Sequence, residues 1–169
     1  MQETAEQYRT RMFALTEKHD PMRLLAAAPA KLARLLRGVG TAKARKRPAP
    51  GKWSIAEIAA HMADTEWVIG YRLRAILGAP GGPIAAFDQD AWAAAMRYGT
   101  RDLRKSAEQF RALRSFNLAL LKTLSPAAWK LHGVHSERGQ QTLTTIARMT
   151  AGHDLNHLAQ IERILGARK

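Results

Sequence analysis

The sequence predicts an all-α protein: a four-helix bundle with long connections carrying short extra helices. Three observations predict it. Apolar residues recur at steps of three and four in four long segments, the period that turns one helical face inward. No segment alternates apolar and polar residues convincingly at period two, so no strand is expected, and a sheet of three or more strands would sink the prediction. Four helices with one-sided stripes bury those stripes best against one another. The 169 residues suit a single domain, 1–169, long enough to bury a sizeable core without staples.

Residues 3–18 read as a short amphipathic helix with Tyr8, Met12 and Leu15 on one side. Asp20 and Pro21 then supply a cap and a proline at the first helical position. The series Leu24, Leu25, Ala28, Leu32, Leu35 and Leu36 makes the first long helix, ended by Gly38 and Gly40. Pro29 is expected to break or kink it. The basic stretch TAKARKRPAPGK reads as a solvated linker. Ser54-Ile55-Ala56-Glu57 is the clearest start in the chain, a capping box with Trp53 placed to staple against Ile58. This second helix carries Met62, Ile69, Leu73 and Ile76 and stops at Gly78 and Pro80.

Residues 78–102 form a long connection with a short helix near Asp88–Met96. Its glycines match neither G-x-x-x-x-G-K-[ST] nor G-x-G-x-x-G, so no phosphate loop is present. The third stripe is Leu103, Ala107, Phe110, Leu113, Leu120, Leu121 and Leu124, with Asn117 turned inward as a hydrogen-bonding core residue. A second connection, 125–141, holds His132 and His135, which are expected at the surface. The fourth helix runs from about 142 to 165, with Gly166 as its cap.

That last helix contains His153-Asp154-Leu155-Asn156-His157. Side chains four apart on a helix stand roughly 5–6 Å from one another, close enough for two imidazoles to reach one metal at about 2 Å each. Ile146, Thr150, His153, His157, Ile161 and Ile164 share one inward stripe. Spacing alone leaves two readings open: a metal pair, or two core histidines hydrogen-bonded to neighbouring helices. A metal needs a third ligand. Periodicity nominates His61, the only other histidine on an inward helical face.

Composition sets further bounds. With no cysteine, disulfides, thiolate metal sites and a cysteine nucleophile are excluded. The N-terminal MQETAEQYRTRMF is polar and is not expected to be a signal peptide, and no apolar run has the length of a membrane helix. A soluble, cytoplasmic protein is expected. Net charge is +13, and nine of the 27 cations fall between Asp20 and Glu57, where there is no acid. Lys43, Arg45, Lys46, Arg47 and Lys52 form a run that attracts polyanions. No aromatics are interleaved to stack bases, which argues against nucleic acid as a partner.

The joint pattern, WSIAEIAAHMADTE in the second helix and HDLNHLAQI in the fourth, resembles the DinB-like superfamily (DinB/YfiT-type proteins). The similarity extends through the GKWS start, the FDQDAW segment and Gly139, from about residue 20 to 166. The resemblance implies a three-histidine metal site at His61, His153 and His157, with open positions for water or substrate. It implies a divalent metal ion (zinc, nickel or iron) and a small-molecule substrate, a low-molecular-weight thiol among the candidates. Related bundles are transferases of such thiols, the iron-binding bundle of sulfoxide synthases, or metal-dependent hydrolases.

Asp154, directly after the first ligand, is the candidate catalytic carboxylate: a general base as in H-E-x-x-H peptidases, or a group orienting a ligand imidazole. Its shorter side chain argues against a peptidase. Asp64 and Glu57 are weaker candidates for the orienting role. Ser54 and Ser125 are explained as helix starts, so no serine–histidine arrangement is recognisable. The leading expectation is therefore a metal-dependent enzyme acting by thiol S-transfer or hydrolysis. A non-catalytic metal- or ligand-binding bundle and a basic nucleic-acid-associated protein are the alternatives. A homodimer is kept as one assembly state.

Overall fold

The structure, a computed structural model, describes residues 3–166; the outermost residues of the expected domain, 1–2 and 167–169, lie outside the described residues. The helices are α1 (Ala5–Thr16), α2 (Pro21–Leu35), α3 (Thr41–Arg45), α4 (Ile55–Gly78), α5 (Gln89–Ala95), α6 (Leu103–Lys122) and α7 (Leu143–Leu165). The four long ones, α2, α4, α6 and α7, form the bundle. Each of α4 and α2 packs on both α6 and α7, so these two face one another across the bundle, and α1 lies along α7. Side chains of Thr4, Asp20, Ser54, Asp102 and Thr142 accept from the first-turn amides of α1, α2, α4, α6 and α7, and Gly166 closes α7 at φ 76°.

The strand-free expectation fails. β1 (Pro83–Ile84), β2 (His132–His135) and β3 (Gly139–Thr142) form one sheet, with β1 parallel and β3 antiparallel to β2. The sheet replaces no helix of the bundle, because it lies wholly in the two long connections. Hydrophobic alternation misses it for a physical reason. In β2 the inward residues are Gly133 and His135, and the apolar Val134 points out. Gly133 is required there: a Cβ would meet Ile84 at 2.8 Å and Ile76 at 3.0 Å. His135, expected at the surface, is 1% exposed for the same reason.

Pro29 neither breaks nor ends α2. Lacking an N–H, it leaves the carbonyl four residues earlier, Leu25, without its helical donor. Arg114 Nη1 donates to that oxygen at 3.0 Å. The basic linker is also more ordered than expected. Ala44 is buried, Arg45 donates to the Thr100 carbonyl at 3.0 Å, and Arg47 pairs with Glu57.

Two apolar clusters fill the bundle. One gathers Leu73, Ile76, Leu118, Leu121, Leu143 and Ile146; the other Leu32, Ile58, Met62, Phe110, Leu158 and Ile161. Between them runs a polar layer contributed by α4, α6 and α7. Arg114, 2% exposed, bonds Glu66 Oε2 at 2.7 Å and Asp154 Oδ2 at 2.6 Å; Asn117 donates to Glu66 Oε1 at 2.8 Å. Such a layer is tolerable at this depth because both carboxylates share the Arg114 guanidinium and Glu66 also accepts from Asn117. Asn117 thus plays the core hydrogen-bonding part expected of it.

Candidate metal centre

The capping box fixes where α4 begins and hence where His61 points. Ser54 Oγ accepts from the Glu57 amide at 3.3 Å, and Glu57 Oε2 accepts from the Ser54 amide at 2.7 Å. Two turns later His61 is 1% exposed. From α7, His153 and His157 present their rings on the same side, centroids 4.3 Å apart. His61 lies 5.0 Å from the first ring and 4.8 Å from the second. One nitrogen from each of the three lies within 4.8 Å of the other two. The Nε2 atoms of His61 and His153 are 2.9 Å apart.

The surroundings disfavour protonation of His61 and His157 and orient the latter. Burial, then the neighbouring rings, holds His61 well below its ordinary value of 6.5. His157 is pushed down to about 3, burial again being the largest cause, followed by His153. Gln160 Oε1 accepts from His157 Nδ1 at 3.0 Å, which leaves Nε2 with its lone pair free. Trp53, packed beside Ile58 as a staple would be, also walls the site. Its ring meets His61 edge-on at 4.7 Å and lies nearly parallel to His157 at 6.4 Å.

Asp154 turns away from the point where the three nitrogens converge. Both its oxygens bond Arg114, and Oδ1 stands 4.0 Å from His153 Nδ1. Although burial opposes its charge, Arg114 and His153 hold its carboxyl below the ordinary 3.8. Glu57 is occupied by the cap and Arg47, and Asp64 accepts from Arg101 at 2.8 Å, so neither reaches His61. His132 and His135 lie on β2, outside the cluster.

Two cavities open on the cluster. One, of about 380 Å³, is lined by His61, His153, Thr65, Arg72 and Gln141 among others; the second, about 640 Å³, by His157, Trp53, Lys52, Gln160 and Arg163. Reasoning from the sequence passed over Glu66, Arg72 and Arg114. Their signal was present in the phase: Arg114 falls between Phe110 and Asn117 on the inward stripe of α6. A search for apolar periodicity skips charged residues on such stripes.

Comparison with known proteins agrees with this architecture. YfiT from Bacillus subtilis, described as a probable metal-dependent hydrolase with an unusual four-helix bundle topology, superimposes with a TM-score of 0.80 at 22% identity, over 96% of this chain and 90% of that one. At that identity the likeness establishes the fold. No curated protein matches significantly. The family model of the DinB superfamily matches residues 24–161, a span that takes in all three histidines, and the chain belongs to that superfamily.

Proposed function

We propose that this protein is a metal-dependent enzyme acting on a small molecule, by hydrolysis or thiol S-transfer, with His61, His153 and His157 as the ligands of a divalent ion. The observation that carries the reading is the convergence of three buried ring nitrogens within 4.8 Å of one another at the wall of two cavities. The donor set suits such an ion: three imidazoles, with His157 oriented by Gln160. An ion held there supplies Lewis acidity, which lowers the pKa of a bound water or thiol to near neutrality. Asp154 serves as a positioning residue: Arg114 holds it with Oδ1 facing His153 Nδ1 at 4.0 Å, an electrostatic contact longer than a hydrogen bond. It lines neither cavity, which disfavours a general base in contact with substrate.

The open cavities favour an enzyme over a closed binding bundle. Metal analysis of purified protein should find about one ion per chain, and His153→Ala and His61→Ala should each abolish it. Ester, amide and thiol-transfer substrates should then be assayed on loaded and chelator-stripped protein. Turnover surviving complete metal removal would overturn the mechanism.

A further inference from the structure

Two guanidinium groups are buried at comparable depth, and their circumstances differ. Arg114, 2% exposed, has two carboxylates; Arg72, 4% exposed, has none within ion-pair distance among the described residues. Its Nε and Nη2 donate to the Ala85 carbonyl at 3.2 and 2.5 Å, and Nη2 stands 3.3 Å from His135 Nε2. Nη1 has no hydrogen-bond partner among the described residues, and the side chain lines the cavity that holds His61 and His153. A buried charge without a counter-charge is costly. Burial, then Arg138, pushes Arg72 down to about 10, so it remains a cation at neutral pH.

The rest of the cavity matches this cation. Arg138 lines the same space and lies over the Tyr8 ring at 5.3 Å. Gln141 is 3% exposed, and its amide donates only to Met149 Sδ at 3.7 Å, a weak acceptor. Two acids also border the cavity. Glu3 is held by Arg11 at 2.8 Å, and Glu137 forms no ion pair among the described residues. Along α4, His61, Thr65, Ile69 and Arg72 follow at steps of four, four and three, so one stripe floors the cavity from the imidazoles to the guanidinium. The backbone positions of His61 and Arg72 are about 16 Å apart at the helical rise.

Resting on the metal-site reading above, we infer that the substrate is an elongated anion: its carboxylate or phosphate is taken by Arg72, with Arg138 and Gln141 beside it, while the bond that reacts lies several atoms away at the three histidines. Arg72 then sets specificity through its free Nη1, whose charge-assisted hydrogen bonds favour an anionic oxygen over a neutral one.

Metal-free protein separates the two claims. Succinate and inorganic phosphate should each be titrated by calorimetry into the stripped wild type, Arg72→Met and Arg23→Gln, the last removing an exposed cation. Saturable binding of at least one probe, weakened tenfold or more by Arg72→Met and unchanged by Arg23→Gln, is expected; the better probe identifies the anion class. Equal binding by Arg72→Met, or no saturable binding, overturns the inference. Should Arg72→Met fail to fold, amide resonances of the wild type answer the same question. Shifts gathered on Arg72, Ala85, Arg138 and Gln141 support the site, whereas shifts spread over the basic surface refute it. Anion binding by a protein that takes up no metal would sink the metal reading alone, and metal uptake without anion binding would sink this one alone.

Discussion

Pro29 and Arg114, on different helices, are joined through a single carbonyl. The proline withholds the N–H that would bond Leu25 O, and the arginine donates to that oxygen at 3.0 Å. α2 therefore tolerates an interior proline because α6 supplies the missing donor. The same guanidinium is shared by Glu66 and Asp154. Arg114→Met should cost about 3–5 kcal/mol, since two buried carboxylates lose their partner. Denaturant unfolding of metal-free protein measures this, and a loss below about 1 kcal/mol would show that the layer relaxes into water.

Asp154→Asn keeps the shape of the side chain and removes its charge. Metal affinity should fall roughly 10–100-fold, the usual consequence of losing an outer-shell partner of a ligand histidine. Competition with a chromophoric chelator gives the number. Unaltered affinity would mean that Asp154 serves only the buried ion network.

α1 and α7 pack tightly at Gly152, where a Cβ would stand 2.5 Å from the Met12 carbonyl oxygen. Backbone is the obstacle, so no rotamer change relieves it. Gly152→Ala should destabilise by about 1–3 kcal/mol and loosen α1. Hydrogen exchange would locate the effect, and undiminished protection in residues 5–16 would refute it.

Acid should weaken the metal-free fold through two buried histidines. His157 is held down to about 3 and His135 to about 4, burial being the main cause in both. Unfolded, each has an ordinary value of 6.5, so the unfolded chain binds more protons throughout the interval below that value. Stability is then full above 6.5 and falls with decreasing pH by about 1.4 kcal/mol per pH unit for each histidine. Unfolding midpoints of stripped protein at about pH 7 and about pH 5 test this. Equal midpoints would mean that these rings protonate freely in the fold.

Nucleic-acid binding should be weak and steeply salt-dependent. Of the run Lys43–Lys52, Arg45 and Arg47 are already engaged by Thr100 and Glu57. Few cations are left to release counter-ions there. Tight, sequence-selective binding to duplex DNA at physiological salt would contradict this.

The helices were legible because their signals are local and periodic. The Ser54–Glu57 box, the proline after Asp20 and the inward phase of His61, His153 and His157 each need only a few neighbouring residues to be read. What escaped is non-local or carried by atypical residues. β1 pairs with β2 across some fifty intervening residues, and β2 buries a glycine and a histidine. Arg72 and Arg114 occupy apolar phases of their helices, where their partners, or lack of them, lie on other segments.

The Nε2 atoms of His61 and His153 meet across 92 residues of chain. No fragment holding only one of the two helices can assemble the cluster, and an ion gripped there would close a loop of that length. Ion uptake would therefore report that α7 has docked on α4, with little grip on earlier, partly folded species. Added ion would act as a reversible cross-link, favouring the docked chain in proportion to the logarithm of its concentration.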